Sequence, residues 1–439
     1  MDIRIYTTCF LVFFGIIGNA QRVLTTNEAL KIALEHNYGI KIAKNTIEVA
    51  ENNSAILNAG YLPTVTGIAG ATIDVQNTEG QLANGEVRIA DGAETRRYNA
   101  SINVNYTLFD GLGRLYNYKR LKEEYQLSEL DARETIETTM LQLFSIYYSV
   151  AQLSENTDAL VETLIISKDR LTRAGYQFDY GQNTKLDVLN AEVDINNDSI
   201  NFINIEQQLR NTKRDLNFVL GNQIIENYDV DTRLRFLLQL NKEDLLEKTK
   251  QNNVSLLQAE KNINISQFDM KTNRAQFLPT IGLVGSYGWN ESSNNSPLAF
   301  VLQNVNSGLN AGVNVTWNLF DGGSTLTRLK NTKIVLENQK LQKEQLILDV
   351  ERNFNNAWDD YQNRLIIYQV QEKNTETAEN NFERTQEKFK IGQVTSIEFR
   401  QAQLNLLNTE LSRNQAKYDA KLSELTVLQL SGELLNTEF

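Results

Sequence analysis

Two segments of the chain alternate strictly between apolar and polar side chains. Tyr98–Gly111 reads YNASINVNYTLFDG, and Leu309–Gly322, which lies 211 positions later, reads LNAGVNVTWNLFDG. In both, every second side chain up to the leucine of LFDG is apolar or aromatic, and the residues between are small or polar. Alternation with a period of two over about eleven residues predicts a β-strand with one apolar and one wet face. A soluble sheet would show the same alternation, so the setting of these strands is decided by other features.

Long helices follow both strands. From about Leu112 to Ala174 the chain has no proline and keeps a helical spacing of apolar residues, which predicts a helix about 95 Å long. A turn with Gly181 then leads into a second helix, Thr184–Leu220. Before the strands, the pattern predicts a short helix, a helix over about 40–60 and, after Pro63, an extended segment, 64–73. A polar stretch, 74–97, follows, to which no helix or strand is assigned.

The same order of elements recurs in the second half. Pro279 corresponds to Pro63 and Gly392 to Gly181, with strands predicted over 280–289 and 309–319 and a long helix over about 321–385. The stretch 290–308 between those strands is expected to be a polar loop. Such an internal match predicts a tandem duplication. We therefore divide the chain into a first repeat (21–221), a connector (222–242) and a second repeat (243–439), each built as helix–strand–strand–long helix–helix.

Residues 1–20 have the features of a secretory signal peptide. Arg4 lies in a short basic region, an apolar run over 10–17 follows, and Gly18-Asn19-Ala20 precedes Gln21. The only cysteine, Cys9, lies inside this segment, so the mature chain is expected to have no disulfide or thiol chemistry. The net charge of −12 argues against a nucleic-acid partner, because phosphates require a basic surface. An exported chain of this kind is periplasmic, secreted or an outer-membrane β-barrel.

Strand count and helix length together suggest an assembly of several chains. Four strands cannot close a barrel, and membrane strands cannot leave an open edge. Aromatic residues are predicted at both ends of the strands, as in the girdles of outer-membrane barrels, although strands in general are rich in aromatic residues. The two shorter helices of the first half, placed end to end, match the long helix within about 10 Å. Three chains would then supply twelve strands and twelve helical staves.

With these features laid out, the chain resembles the TolC family of outer-membrane efflux proteins. The resemblance rests on the order and doubling of several motifs over nearly the whole mature chain: LTTNEAL at 24–30, YLP at 61–63, LFDG at 108–111 and 319–322, YG at 180–181 with LDVL at 186–189, and Gly392 with Ile397-Glu398. It implies an α+β membrane protein, a trimer whose twelve-stranded outer-membrane barrel, four strands per chain, continues into a long periplasmic α-helical barrel. It also implies a periplasmic adaptor and an inner-membrane transporter as partners.

The resemblance assigns roles to several residues. Glu398 occupies the position of the inward-facing acidic residue that closes the periplasmic end in family members, and Asp187 is its repeat partner; a solvated glutamate on a helix face is the alternative. Gln401 and Asn190 stand where some members carry a second acidic residue. Residues expected at the hairpin ends, where an adaptor would dock, are Gly181, Gly392, Phe178, Phe389, Arg173 and Arg384. Residues expected at the joints between helices and strands are Pro63, Pro279, Asp110, Gly111, Asp321 and Gly322, and Asp110 is expected to be the N-cap of the long helix.

The sequence therefore predicts a passive outer-membrane exit channel for efflux or secretion, located in the outer membrane with a periplasmic portion and in contact with its lipid. No catalytic constellation, cofactor motif or metal-ligand spacing appears, so no enzymatic activity, cofactor or metal is expected. The alternative from another class is a soluble periplasmic coiled-coil scaffold or adaptor whose strands form a small sheet.

Overall fold

The computed structural model describes residues 22–221, 228–237, 240–296 and 299–437. The predicted signal peptide lies outside the described residues, as does part of the predicted connector. The first half contains, in chain order, β1 (Arg22–Leu24), α1 (Thr26–His36), α2 (Tyr38–Ser54), β2 (Thr64–Gln81), β3 (Val87–Phe109), α3 (Gly113–Asp179) and α4 (Lys185–Leu220). The second half contains β4 (Tyr228–Val230), α5 (Lys242–Asn252), α6 (Val254–Ala275), β5 (Thr280–Asn294), β6 (Gln303–Thr316), α7 (Ser324–Lys390), α8 (Ser396–Leu430) and a 3-10 turn (Leu434–Asn436).

The helix-rich fold with a sheet portion agrees with the predicted α+β class. α3 and α7 each have 67 residues, about 100 Å of helix, and α4 and α8 have 36 and 35. α3 continues through Gly175. This glycine has no positive φ, and an added Cβ would meet no atom within 4 Å, so neither the backbone conformation nor a close contact requires a glycine there. Both long helices are therefore five residues longer at their C-terminal ends than the sequence pattern indicates.

The predicted loop over 290–308 is wrong in part, and the polar stretch 74–97 is largely strand. Residues 74–81 and 87–97 form the distal parts of β2 and β3, which pair out to Gln81 and Val87, and β5 and β6 likewise extend into 290–308, as far as Asn294 and Gln303. Polar side chains do not stop strand pairing when both faces of a hairpin are exposed, because the ladder is formed by backbone groups. The helix expected to end near residue 60 ends at Ser54, where Asn52 and Ala55 begin a series of turns.

Four strands form one antiparallel sheet in the order β2–β3–β5–β6. In the register, Ile102 lies opposite Tyr287, and Tyr287 lies opposite Leu309; one step along, Asn103, Ser286 and Asn310 form the next row. The rows confirm the predicted alternation, because apolar residues share one face and polar residues the other. Among the described residues, β2 and β6 each pair on one side only, so the sheet has two open edges.

The helices form a single layer of staves. Across the layer, the first stave consists of α2 and α4, the second of α3, the third of α6 and α8, and the fourth of α7. Asn37 joins the first pair: its Oδ1 accepts from the backbone N–H of Ile40 in α2 at 3.2 Å, and its Nδ2 donates to the carbonyl of Val219 at the end of α4 at 2.8 Å. Asn253 joins α6 to α8 in the same way, through Leu256 and Leu430. One asparagine thus caps two helix ends, and two shorter helices together form one stave.

The largest hydrophobic core lies where these joints meet the middle of α3. It contains Phe144, Tyr147 and Tyr148 of α3 with Tyr418 of α8. β1 pairs with β4 in parallel there, a contact that the sequence pattern does not indicate, and the Tyr147 hydroxyl donates to the carbonyl of Leu24 at 2.7 Å. Burial raises the pKa of Tyr147 to about 12, so the hydroxyl stays protonated as a donor.

Candidate functional site

Each pair of long helices ends in a tight turn, and these two hairpin ends contain most of the predicted site residues. The first hairpin end comprises residues 173–189 and the second residues 384–400. Gly181 and Gly392 have φ values of +71° and +76°, the left-handed conformation that favours glycine at a tight turn. Each donates its backbone N–H to the carbonyl of a phenylalanine, Phe178 at 2.9 Å and Phe389 at 3.1 Å. The two ends therefore have the same backbone geometry.

Both predicted constriction residues take part in capping boxes. Glu398 accepts from the backbone N–H and the hydroxyl of Thr395 at 2.7 and 2.8 Å, and the Thr395 hydroxyl accepts from the backbone N–H of Glu398. Asp187 accepts from the same two groups of Thr184, at 3.2 and 2.7 Å. The hydrogen bonds from Thr395, above all the backbone one, lower the pKa of Glu398 below its ordinary value. The exposed Glu398 carboxylate is therefore charged at neutral pH and fixed at the start of α8.

Arg173 and Phe389, two predicted adaptor-contact residues, instead contact each other. The Arg173 guanidinium lies 5.0 Å from the centre of the Phe389 ring and donates to the carbonyl of Lys390 at 2.7 Å. On the helix side, Phe389 stacks on the buried Phe399, with ring centres 4.5 Å apart. Arg173 and Phe389 hold the first hairpin end against the second, so a smaller part of each side chain is accessible to a partner.

Phe178 and Arg384 are exposed, as a docking role requires. Tyr176, Tyr180, Ile391 and Ile397 form larger exposed apolar surfaces beside them, with 63–80% of each residue accessible. Sequence reasoning did not select these four, although aromatic and aliphatic residues flanking a turn glycine were a visible signal. Exposed apolar residues clustered at one end of a helical layer are typical of a protein-interaction surface.

A buried polar network lies just behind the hairpin ends and was missed by the sequence analysis. Asp198 of α4 accepts two hydrogen bonds from the Arg400 guanidinium, at 2.7 and 2.8 Å, and one from the Ser167 hydroxyl of α3 at 2.6 Å. Gln403 of α8 donates to Ser167 and to the carbonyl of Thr163 at 3.1 and 3.0 Å. Only 2% of the Asp198 side chain and 11% of that of Arg400 are exposed. The network therefore ties three helices together in a site without bulk water.

A second ion pair extends this network toward the turn. Arg170 of α3, with 3% of its side chain exposed, pairs with Asp194 of α4, and the Asp194 carboxylate also lies 3.7 Å from Arg400. Asp194 and Asp198 are four residues apart and so lie on the same face of α4. Two acidic residues at this spacing on the packed face of a helix were the signal that could have revealed the network.

The predicted joints connect helices to strands. Pro63 and Pro279 come directly before β2 and β5. Asp110 is not the N-cap residue of α3, because Leu112 occupies that position with φ of +70°; the Asp110 carboxylate instead accepts from the backbone N–H of Arg114 at 2.8 Å. Because Leu112 adopts the left-handed conformation, the N-cap position lies two residues after Asp110. The Asp110 carboxylate still accepts a hydrogen bond from the first turn of α3.

The second joint uses the same device. Asp321 accepts from the backbone N–H and the hydroxyl of Thr325 at 2.9 and 2.5 Å. Gly111 and Gly322 both have φ of +70°. At Gly111 an added Cβ would lie 2.5 Å from the carbonyl oxygen of Ala275, so a side chain there would collide with backbone. This close approach fixes how the strands continue into the helices.

Neither a metal centre nor a membrane-spanning helix is found in the part of the chain that the structure describes. No group of three or more histidine, cysteine, aspartate or glutamate residues there could hold a metal ion. None of the described helices combines the length and the apolar character needed to cross a membrane.

Comparison with known proteins identifies the family. The model of the outer membrane efflux protein family matches residues 29–222 and again residues 245–433, together most of the chain. The chain belongs to the outer membrane efflux protein family. Similar characterised proteins include the outer membrane efflux protein BepC of Brucella suis, 20% identical over 95% of this chain and 87% of BepC, and the outer membrane protein TolC of Vibrio cholerae, 24% identical over 67% of this chain and 68% of TolC.

Solved structures with the same fold include outer-membrane channels. The CmeC channel of Campylobacter jejuni gives a TM-score of 0.77 at 16% identity, over 93% of this chain and 86% of that one. The MtrE channel of Neisseria gonorrhoeae, solved in its open state, gives 0.71 at 16% identity, over 93% and 89%. As a member of this family, the protein is an outer-membrane efflux channel, which favours the predicted duct over the alternative of a soluble scaffold.

Proposed function

We propose that three copies of this chain form one passive duct, with a twelve-stranded barrel in the outer membrane and a helical barrel in the periplasm. The observation that carries the proposal is the four-stranded sheet with two open edges. An open edge leaves backbone N–H and C=O groups unpaired, which a lipid environment does not tolerate. Pairing β6 of one copy with β2 of the next satisfies both edges, and three sheets of this size close into a ring.

The surface of the sheet supports a place in lipid for one face. Ile102, Tyr287 and Leu309, which share one face and one row, are all more than half exposed in the single chain. The opposite face carries the asparagine-rich rows. An apolar outer face with a polar inner face is the arrangement of a membrane barrel with a water-filled lumen. The joints at Asp110 and Asp321 would then mark the passage from barrel to tunnel.

The duct is proposed to work with a periplasmic adaptor and an inner-membrane pump. The two hairpin ends lie at the far end of the helices from the sheet, so in the assembly they would point toward the inner membrane. Their exposed apolar residues, with Phe178 and Arg384, would contact the adaptor, while Gly181 and Gly392 would fix the turn geometry. The doubled family match supports the tandem duplication and the two repeats proposed from the sequence.

Glu398 is proposed to line the periplasmic constriction, with Asp187 as its counterpart in the first repeat. Both hydrogen bonds from Thr395 reach one oxygen, Oε2, of Glu398. The other oxygen is thus left to face the lumen. Three such carboxylates around an axis would attract cations and repel anions.

Two substitutions separate the charge of Glu398 from its capping role. In planar lipid bilayers, Glu398→Gln should weaken block by divalent cations, because it removes the charge, but it should retain the capping box, which accepts Gln at this position. Glu398→Ala should weaken the block equally and also loosen the start of α8. Thr395→Ala is the matched control: it removes the cap but keeps the charge, so block should persist. Unchanged block in Glu398→Gln would exclude the constriction role.

The duct itself is tested by fractionation and mass. The protein should require detergent for extraction from membranes, and the purified particle should have the mass of three chains. A protein that is released without detergent, or a particle of one chain that forms no channels, would refute the proposed function.

A further inference from the structure

The helical layer of one chain contains an inner seam and ends in two outer edges. We define the inner seam as the side-chain contacts of α3 with α6 and α8. The outer edges are the free sides of the layer, formed by α2 with α4 on one side and by α7 on the other. α7 repeats α3 at an offset of 211 residues, and α4 repeats α8 at the same offset. The inner seam can therefore serve as a template for how one chain's α7 would meet α4 of a second copy.

Outside the hydrophobic core around Tyr148 and Tyr418, the inner seam is polar and largely charged. Lys417 of α8 pairs with Glu155 of α3 at 2.7 Å, and Lys261 of α6 pairs with Glu123 at 3.1 Å. Next to the first of these pairs, Asn414 donates to Asn156 at 3.0 Å, and both side chains are buried. The charged residues with such contacts in the described chain are Arg120, Glu123, Asp131, Glu134, Glu155, Lys261, Asp269, Arg400 and Lys417.

The equivalent positions on the outer edges have lost this charge. Counterparts in the two repeats are 211 residues apart for positions of α3 and α8. They are 216 residues apart for positions of α6, which is the spacing between Asn37 and Asn253. In the order of the charged residues given above, the counterparts are Asn331, Ile334, Gln342, Gln345, Ile366, Asn45, Asn53, Leu189 and Glu206. Only the last is charged. Exposed helix positions usually carry charge, so a row of uncharged and aliphatic residues indicates a surface that is covered.

The aliphatic members of these edges are exposed in the single chain. Ile203 is the counterpart of Asn414 and Ile367 that of Asn156; they are 56% and 43% exposed. Leu189 and Ile200 continue the row on α4, with the spacing of an apolar helix stripe. Two aliphatic residues therefore occupy, on opposite edges, the positions at which two asparagines meet in the inner seam.

We infer that the edge formed by α2 and α4 packs against α7 of a second copy of this chain in the register of the inner seam, with Ile203 against Ile367 and Leu189 against Ala378. This inference rests on the proposed trimer, and it adds the residue pairs and their chemistry. Outside the hydrophobic core, the seam within a chain is held by ion pairs and amide hydrogen bonds, whereas the seam between chains would be formed by aliphatic and uncharged amide side chains. Burial of aliphatic side chains stabilises an interface without requiring each polar group to find a partner.

Disulfide trapping in the full chain tests the register, because the described residues contain no cysteine. The double variant Ile203→Cys/Ile367→Cys should give, on mild oxidation in membranes, covalent species of two and three chains on non-reducing gels. Leu189→Cys/Ala378→Cys should do the same and is an independent check. Asn156→Cys/Asn414→Cys, the template pair, should crosslink within one chain and produce no species larger than a single chain.

A control pair tests the register itself. Val193 is as exposed as Ile203 but lies ten residues, about 15 Å, along α4, so Val193→Cys/Ile367→Cys should give less than a tenth of the crosslinking. Equal or greater crosslinking of this pair, or none for the first two pairs in a particle with the mass of three chains, would overturn the inferred register and leave the trimer intact. A particle with the mass of one chain would refute the trimer as well.

Discussion

Replacing Asp198 with alanine removes the carboxylate on which α3, α4 and α8 converge. Arg400 would lose two hydrogen bonds and Ser167 one, in a site where 2% of the aspartate side chain is exposed. Removing one partner of a buried ion pair costs about 3–5 kcal/mol, because the other charge stays buried without compensation. Asp194, 3.7 Å from the guanidinium, would still offset part of this loss. We therefore expect the lower end of the range, about 3 kcal/mol.

Native-state hydrogen exchange followed by mass spectrometry measures this loss locally. A loss of 3 kcal/mol corresponds to exchange about 100-fold faster for the amides of α4 and α8 around Asp198 and Arg400, provided that they exchange through local opening. Amides in the β5–β6 hairpin should be unaffected, because they lie at the other end of the helical layer. Asp215→Ala, which removes an exposed carboxylate from the same helix, is the matched control and should change exchange by less than about threefold.

A double variant tests whether the charge pair is the cause. Asp198→Ala/Arg400→Leu removes both charges, and replacing a buried pair with apolar groups is often close to neutral. Exchange in the double variant should therefore return to within about tenfold of the parent protein. The reasoning would be refuted if the free-energy losses of the two single variants simply added up in the double variant. Exchange accelerated less than fivefold in Asp198→Ala would refute it as well.

Three further predictions concern backbone joints and charge. Gly432→Ala should lower the stability by about 2–4 kcal/mol in denaturant unfolding, because the residue has φ of +69° and its new Cβ would lie 2.6 Å from the carbonyl oxygen of Asn252; Gly175→Ala, in open space within α3, should be neutral or stabilising. Asn253→Ala should cost about 1–2 kcal/mol in the same assay, because it uncaps two helices. Cation block at Glu398 should persist as the pH falls to the ordinary pKa of a glutamate side chain and be lost only below it, because the hydrogen bonds from Thr395 lower the pKa of Glu398; loss of block near pH 6 would contradict this.

The sequence was sufficient to predict the long helices and the four strands of the larger sheet, because the patterns that indicate them are local. Alternation in Tyr98–Leu108 and the long run without proline after Leu112 each specify an element without reference to the rest of the chain. The extent of β2 and β3 could not be read in the same way. Their distal parts contain many polar side chains and lack a clean alternation, and they are kept extended by backbone pairing between residues such as Gln81 and Val87. Side-chain patterns contain little information about such pairing.

The site was only partly predictable for a related reason. Gly181, Gly392 and the two capping boxes depend on residues within a few positions, and the sequence marks them. The Asp198 network depends on Arg400, which is 202 residues away, and on Ser167 of a third helix. Arg173 and Phe389 show another limit: they are 216 residues apart, and the sequence did not indicate that the guanidinium and the ring contact each other. Helix periodicity indicates which face is packed, but not which distant side chain meets it.

In the proposed duct, Glu398 would have two tasks, one as the cap of α8 and one in the constriction. The capping box requires a carboxylate or amide three residues after Thr395, and the constriction requires a negative charge at the same place. The two requirements do not conflict, because Thr395 donates both its hydrogen bonds to Oε2 and so restrains the side chain without neutralising it. A freely rotating glutamate would lose conformational entropy on joining a ring of charges. In this chain the cap has already restricted that freedom, so a constriction built on Glu398 would have a fixed diameter rather than a fluctuating one.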